Sequence, residues 1–177
     1  MHLVIFDLDG TLTQTYYAGD NSFMKALSRF IPVENDYPYW KECNHLTDEA
    51  VFQHVFQKIT GKPASNEDKE RMQDQFMVEL MHKYKHSAQF FDPIPGALRF
   101  IQELKQESGV VLGIATGSWE KIARFKLELA GFQVNDFLIY GSDSHLSKVD
   151  FTQALIQEVN TKHSVRTTTY VGDSLYD

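Results

Sequence analysis

The sequence predicts an α/β fold with a doubly wound parallel sheet and an α-helical segment inserted into it. Three observations favour this class. Short apolar runs alternate with amphipathic stretches over residues 93–177, residues 14–92 show helical patterns without a convincing strand, and polar residues follow each apolar run. Alternation of strand and helix is typical of a parallel sheet with helices on both faces.

The predicted strands are short, continuous apolar runs, which is typical of strands buried on both faces of a sheet. The first strand covers residues 3–6 and ends at Asp-Leu-Asp-Gly. The other three cover residues 110–115, 137–140 and 168–171. We therefore expect a parallel sheet built from these four runs.

Amphipathic stretches next to these strands predict helices on the faces of the sheet, because apolar residues recur there at helical spacing. Each of the first two stretches is followed by a glycine, which favours the end of a helix. The stripes are Leu98, Ile101 and Leu104 before Gly109, then Ile122, Phe125 and Leu129 before Gly131, then Phe151, Leu155 and Val159.

The domain boundaries follow from this change of pattern. A core is predicted for residues 1–13 and 93–177, with a helical module over residues 14–92. Residue 14 and the Pro- and Gly-containing stretch 90–95 are the predicted hinges between the two parts.

Within the helical module, apolar residues again recur at helical spacing in three stretches. Thr47 and Ser65 precede the second and third stretches and are candidate N-caps. Gly61 is a candidate end of the second helix. The stripes are Phe23, Leu27, Phe30 and Ile31, then Val51, Phe52, Val55, Phe56 and Ile59, then Met72, Phe76, Leu80 and Tyr84.

Composition excludes several classes of protein. The formal net charge is -7 and no basic run is present, so we expect no binding to nucleic acid or to an anionic membrane surface. The chain begins MHLVIFD without a basic region and contains no apolar run of about 20 residues, so we expect neither a secretory signal nor a membrane span, and a cytoplasmic location. Cys43 is the one cysteine, which predicts a buried structural thiol.

Two aspartates at the end of the first predicted strand are candidate catalytic residues. Asp7 and Asp9 are two residues apart, so in a strand their side chains point to the same side. Gly10 permits a sharp exit from the strand, and the hydroxyl of Thr11 is placed to hold a carboxylate. An ordinary Asp-Gly turn would give the same letters, so this pair alone leaves both interpretations open.

The later predicted strands also end in small or charged polar residues. These are Thr116-Gly117-Ser118, Gly141-Ser142-Asp143 and Gly172-Asp173-Ser174, with Asp177 following and Lys148 opening the helix that includes Phe151. Because the carboxyl ends of parallel strands meet at one edge, where ligands bind in open α/β sheets, we expect these side chains to form one polar site.

The segments FDLDGT, ATGS, SK and VGDSLYD, in this order, resemble the haloacid dehalogenase-like (HAD) hydrolase superfamily. The resemblance is to its magnesium-dependent phosphatases, in the branch similar to phosphoglycolate phosphatase. It covers residues 1–16 and 93–177 by motif, and residues 14–92 by position and helical character. It implies a Rossmann-like HAD core with a helical cap inserted after the first motif.

The resemblance also implies roles for individual residues. Asp7 would be the nucleophile that forms an aspartyl phosphate, and Asp9 would be the general acid and base. Thr116, Gly117 and Lys148 would bind the transferring phosphate oxygens. The substrate would be a small phosphorylated metabolite.

The resemblance further implies one Mg²⁺ ion as cofactor. Its ligands would be Asp7, the backbone carbonyl of Asp9, and Asp173, with Asp177 behind them. Relatives usually continue with a helix and another strand, so we expect the natural chain to extend beyond Asp177.

A charge count leads to two expectations about this site. Asp7, Asp9, Asp173 and Asp177 carry four negative charges, against three positive charges from Mg²⁺ and Lys148. Protonation of one carboxylate would balance the site, and crowding of like charges favours it, with Asp9 as the candidate. We therefore expect activity to disappear on chelation of the metal and the rate to fall at high pH.

Two other functions remain open for the same residues. A phosphomutase would use the same aspartates and return the phosphoryl group to the product. A regulatory or binding protein could keep the fold without turnover, although a stable aspartyl phosphate beside a general base is unexpected. A dehalogenase is disfavoured because its chemistry does not need Asp9.

Several other groups have ordinary structural interpretations. Lys121, Arg124 and Lys126 are predicted to form a solvated helix face. His82 and His86 have a metal-binding spacing but are expected to be plain exposed histidines. Packing between the module and the core is the expected role of a set of aromatic residues, with lining of the substrate pocket as the alternative. That set is Tyr16, Tyr17, Tyr37, Tyr39 and Trp40.

Overall fold

The computed structural model describes residues 1–33 and 39–174, without the side chains of Tyr17, Tyr39 and Trp40. The described residues form a four-stranded parallel sheet with strand order β3-β2-β1-β4. The strands are β1 (His2–Phe6), β2 (Val110–Ala115), β3 (Leu138–Tyr140) and β4 (Thr167–Val171). The predicted α/β class with a doubly wound parallel sheet is confirmed.

Strand β1 lies between β2 and β4, so its carboxyl end is at the centre of the sheet edge. Phe6 is opposite Ile114 in β2 and Val171 in β4. The strand order reverses at this point, which is where ligands bind in open α/β sheets. The topology therefore places the residues that follow β1 beside those that follow β4.

The helices of the core are α4 (Ala97–Gln106), α5 (Glu120–Leu129) and α6 (Lys148–Lys162). Helix α6 packs closely on β2, because a Cβ atom on Gly113 would lie 3.0 Å from the Leu155 side chain. Within the described residues, no helix combines the length and apolar character needed to cross a membrane.

One expectation about burial is wrong. The apolar run at the end of the chain predicts a strand buried on both faces, but Thr167, Thr168 and Thr169 of β4 are exposed. Within the described sheet, β4 pairs with β1 on one side only, so these residues lie on an edge strand.

The inserted helices are α1 (Tyr16–Phe30), α2 (Asp48–Thr60) and α3 (Asn66–His86). Thr47 caps α2 by accepting a hydrogen bond from the backbone N–H of Ala50 at 3.3 Å. Ser65 and Asp68 form a capping box at the start of α3, and Gly61 ends α2 with a φ of 75°. The three predicted helix-terminus residues are confirmed. Short 3₁₀ helices lie at Tyr39–Glu42, Ala88–Phe91 and Val134–Asp136.

The chain enters and leaves the inserted helices at the same place. Thr13 and Pro93 form an isolated antiparallel bridge. The N–H of Gln14 donates to the carbonyl of Asp92, and the N–H of Ile94 donates to the carbonyl of Leu12, both at 2.9 Å. Both predicted hinges therefore meet in a short paired segment at the sheet edge.

The apolar core of the inserted helices continues into the core of the sheet domain. Trp119, directly before α5, is fully buried, and its ring centroid lies 5.9 Å from that of Phe23 and 5.8 Å from that of Phe52. Ile122 of α5 belongs to the same cluster. The start of α5 is thus covered by α1 and α2.

Candidate active site

Asp7 lies directly after β1, at the carboxyl edge of the sheet. Its backbone N–H donates to the carbonyl of Val171 at 2.9 Å, which extends the β1–β4 pairing by one bond. Its side chain is only 8% exposed, and Lys148 Nζ lies 2.9 Å from its Oδ1. Lys148 is the first residue of α6, so the fold brings these two predicted site residues together.

Asp173 lies against the turn that follows Asp7. Thr11 Oγ1 donates to Asp173 Oδ1 at 3.3 Å. Gly10 has a φ of 93°, and a Cβ atom there would lie 2.5 Å from Asp173 Oδ2. A glycine is therefore needed at position 10 both for the backbone conformation and for the approach of the Asp173 carboxylate.

The Asp9 side chain turns to Lys126 of α5. Lys126 Nζ lies 2.8 Å from both carboxylate oxygens of Asp9. The hydroxyl of Ser118 donates to Oδ2 at 3.3 Å, and the hydroxyl of Thr15 donates to Oδ1. The Asp9 carboxylate is thus held on both oxygens by residues from three segments of the chain.

The prediction that Lys126 belongs to a solvated face is wrong. Its side chain is buried, with 2% of the residue exposed, whereas Lys121 on the same helix is exposed. Lys126 follows Ile122 by four positions and Ala123 by three, which puts it on the buried face of α5. An ionised side chain at such a position needs a partner of opposite charge, and Asp9 supplies it.

Two acidic residues of the inserted helices, Asp20 and Asp48, also stabilise the charge of Lys126. Burial lowers the pKa of Lys126, but the charges of Asp9, Asp48 and Asp20 outweigh it, so its pKa lies above the ordinary value. Burial raises the pKa of Asp48 to about 7, against the opposing effects of Lys126 and the Trp119 N–H. Burial also raises the pKa of Asp20. Helices α1 and α2 therefore each bring one carboxyl group towards the buried ammonium.

Lys126 changes the charge count made from the sequence. Together with Mg²⁺ and Lys148 it supplies a fourth positive charge, which balances the four predicted site carboxylates while all are ionised. Asp177, one of those four, lies outside the described residues.

Thr116 and Gly117 lie at the carboxyl end of β2, next to β1. Thr116 is buried, its N–H donates to the Tyr140 carbonyl at 3.0 Å, and its Oγ1 accepts from the Ser118 N–H at 3.2 Å. The carbonyl of Gly117 accepts from the N–H of Asp48 at 2.8 Å. This predicted phosphate-binding loop is therefore in contact with the first turn of α2.

The oxygen atoms at the sheet edge suit Mg²⁺, which prefers carboxylate, carbonyl and water oxygens. Asp7 and Asp173 follow adjacent parallel strands. Within the described residues, no group of three or more His, Cys, Asp or Glu side chains is arranged to hold a metal. The Asp9 side chain contacts Lys126 instead, and the third predicted ligand is the backbone carbonyl of Asp9. The residues fit a site of two carboxylates, a carbonyl and water.

Sequence reasoning missed the contacts that attach α2 to this site. The backbone N–H of Trp119 donates to Asp48 Oδ2 at 3.0 Å, and its indole N–H donates to Glu49 Oε2 at 2.6 Å. In the sequence, Asp48 and Glu49 look like ordinary acidic residues in the first turn of a helix. The one available signal was a tryptophan placed directly after the ATGS segment.

The remaining predictions have mixed outcomes. His82 and His86 are exposed, as expected, and His86 Nδ1 is 2.8 Å from the carbonyl of His82. Cys43 is only partly buried rather than buried, and burial raises the pKa of its thiol. Tyr16 is exposed. The other aromatic predictions fall on Tyr37, outside the described residues, and on three undescribed side chains, those of Tyr17, Tyr39 and Trp40.

Comparison with known proteins gives a family and a set of similar folds. The family model for haloacid dehalogenase-like hydrolases matches residues 4–177. A search of curated proteins found no match. A hydrolase from Pseudomonas syringae is 20% identical with a TM-score of 0.67, and the alignment covers 99% of this chain and 78% of that chain.

Two further solved structures are similar. A protein from Haemophilus somnus described as a predicted phosphoglycolate phosphatase is 19% identical, with a TM-score of 0.59, covering 99% of this chain and 78% of that chain. A HAD-hydrolase from Bacillus subtilis, bound to magnesium, is 19% identical with a TM-score of 0.60, covering 99% of this chain and 81% of that chain. At these identities the likeness shows the fold.

Proposed function

Because the chain belongs to the haloacid dehalogenase-like hydrolase family, we propose that it is a magnesium-dependent phosphatase. It hydrolyses a small phosphorylated metabolite through an aspartyl phosphate. The observation that carries the proposal is the nearly buried Asp7 carboxylate with Lys148 Nζ at 2.9 Å, beside the strand end that leads to Asp173. The phosphoglycolate phosphatase description of a similar fold supports the same class.

In the first step, an Asp7 oxygen attacks phosphorus and the bond between phosphorus and the alcohol oxygen of the substrate breaks. The bonding electron pair leaves with the alcohol oxygen, which takes a proton from Asp9. Lys148 contacts Asp7, so its ammonium is placed to offset charge on the transferring oxygens. Thr116 and the backbone at Gly117 bind the same oxygens.

In the second step, water attacks the phosphorus of the aspartyl phosphate. The bond between phosphorus and the Asp7 oxygen breaks, Asp9 takes the proton from water, and inorganic phosphate leaves. One residue thus acts as acid and then as base, a role that contributes about 10² to 10⁴ in rate. Helices α1 and α2, which cover the start of α5, limit the access of other water to the site.

Asp7, Asp173 and the carbonyl of Asp9 would hold Mg²⁺. When bound, the ion supplies positive charge next to the phosphate oxygens. The similar fold bound to magnesium supports this cofactor.

The close approach of Asp173 to Gly10 leads to a prediction about the metal. Gly10→Ala would place a methyl group 2.5 Å from Asp173 Oδ2, so the carboxylate must move. Displacement of a group that positions the metal typically costs about 10 to 100-fold in affinity. We expect the Mg²⁺ concentration for half-maximal activity to rise by that factor, measured by titrating Mg²⁺ in a phosphate-release assay.

Gly61→Ala is the matched control for backbone strain. Gly61 has a φ of 75°, and nothing lies within 4 Å of its Cβ position. Both variants should lose about 1–2 kcal/mol of unfolding free energy from left-handed backbone strain. Only the change at Gly10 should alter the Mg²⁺ requirement, and an equal Mg²⁺ requirement in the two variants would contradict the role of Asp173.

The proposed function is tested by measuring inorganic phosphate released from a panel of small phosphate monoesters. We expect release with Mg²⁺, none in excess chelator, and recovery when Mg²⁺ is restored. Full activity in excess chelator would contradict the metal requirement. An isomerised sugar phosphate formed without inorganic phosphate would identify a phosphomutase, and Mg²⁺ binding without any turnover would favour a regulatory protein.

A further inference from the structure

We propose that Lys126 is a positioning residue that fixes the orientation of the Asp9 carboxyl group for proton transfer. This rests on the proposed function, in which Asp9 protonates the leaving alcohol. The resemblance to the family motifs does not include Lys126, and the sequence alone predicts it to be solvated.

The contacts of Lys126 determine where both Asp9 oxygens lie. Its Nζ is equidistant from them, at 2.8 Å, so the ammonium lies in the plane that bisects the carboxyl group and contacts both oxygens. Ser118 and Thr15 each donate a hydroxyl to one of the two oxygens. Three donors on one carboxyl group leave it little freedom to rotate.

These contacts are compatible with both the protonated and the ionised form of Asp9, which the mechanism needs in turn. A hydroxyl group donates one hydrogen bond and can also accept one. When Asp9 is ionised, Ser118 and Thr15 donate to it, and when Asp9 carries a proton, either hydroxyl can accept it. Lys126 can donate to the unprotonated oxygen in either state, so the orientation of the group is kept through the cycle.

The surroundings of Lys126 keep its ammonium at this position. Ser118 Oγ lies 3.0 Å from Nζ, and a Cβ atom on Gly19 would lie 3.2 Å from it, so the backbone of α1 covers the ammonium closely. Asp20 and Asp48 contribute charge at longer range. Among the described residues, Asp9 is the carboxylate that hydrogen-bonds Lys126.

The test compares two substrates that differ in their need for an acid. An alkyl phosphate has a poor leaving group that must be protonated, whereas p-nitrophenyl phosphate releases a stable phenolate. The ratio kcat/KM includes only the steps up to departure of the alcohol, so it isolates the acid role of Asp9 from its later role as base.

We expect Lys126→Met to lower kcat/KM for the alkyl ester by about 10²-fold, the cost of misplacing a reacting group by about 1 Å. The aryl ester should lose less than about 10-fold, because its departure needs little acid catalysis. Asp9→Asn removes the acid itself, so it should also lose more activity on the alkyl ester than on the aryl ester. It is the reference with which Lys126→Met is compared. Lys121→Met, an exposed lysine of α5 paired with Asp74, is the control and should leave both rates unchanged.

Equal losses for the two esters in Lys126→Met, with Asp9→Asn selective, would overturn the inference and make Lys126 a structural residue only. Unchanged kinetics in Lys126→Met would overturn it as well. Equal losses in Asp9→Asn would instead show that Asp9 is not the acid, which contradicts the proposed mechanism itself. If Lys126→Met does not fold, Lys126→Gln keeps a donor near Asp9, and a smaller loss with the same selectivity is expected.

Discussion

Asp7→Asn is expected to lower the rate of phosphate release by at least about 10⁴-fold, because loss of a covalent nucleophile removes most of the catalysis that depends on it. The amide of asparagine cannot form the aspartyl phosphate. Steady-state phosphate release measures the loss, and mass spectrometry after acid quench should find phosphate on the Asp7 peptide of the native protein and none on the variant.

Asp74→Asn is the control for this change. Asp74 is an exposed carboxylate paired with Lys121, so its loss should leave turnover and unfolding free energy nearly unchanged, since exposed ion pairs are worth about 0 to 1 kcal/mol. Circular dichroism checks that Asp7→Asn is folded. Substantial turnover by a folded Asp7→Asn protein would exclude Asp7 as the nucleophile.

Trp119→Ala is expected to cost about 3 to 5 kcal/mol of unfolding free energy, the usual range for truncating a buried aromatic residue. Trp119 is fully buried where the inserted helices meet α5, and its indole N–H holds the buried carboxylate of Glu49. Since domains are stable by only about 5 to 15 kcal/mol, this is a large share of the total. Urea unfolding followed by circular dichroism measures it.

Trp119→Phe separates packing from hydrogen bonding. It keeps an aromatic ring in the cluster but removes the donor to Glu49, so we expect a smaller loss of about 1 to 3 kcal/mol, the cost of a buried acceptor without its partner. Equal losses in Trp119→Phe and Trp119→Ala would show that the bond to Glu49 matters more than ring packing. A loss below about 1 kcal/mol in Trp119→Ala would contradict the burial seen here.

Much of the fold could be predicted because strand and helix patterns are local. Strand β2 has the predicted bounds, and the other strands differ by one residue at one end. Pairing with distant residues explains the change in β1 and β4, and a local turn explains the change in β3. His2 joins β1 because it pairs with Val110 and Thr167, while the N–H of Phe137 is taken by the carbonyl of Val134.

The arrangement of the candidate site was predictable where parallel topology alone brings residues to one edge, as for Asp7 and Asp173, which follow the adjacent strands β1 and β4. Lys126 was not predictable, because its partner Asp9 lies 117 positions earlier in the chain. A single lysine in an amphipathic helix is usually solvated, whereas the close approach of α1 at Gly19 and the contact with Asp9 show that this one is buried.

The bridge between Thr13 and Pro93 joins the two ends of the inserted segment beside the sheet. A segment whose two ends are already joined adds little closure entropy when it grows, about 0.6 kcal/mol for each doubling of its length. The length of the inserted segment can therefore change at a small entropic cost, as long as its helices still pack on Trp119.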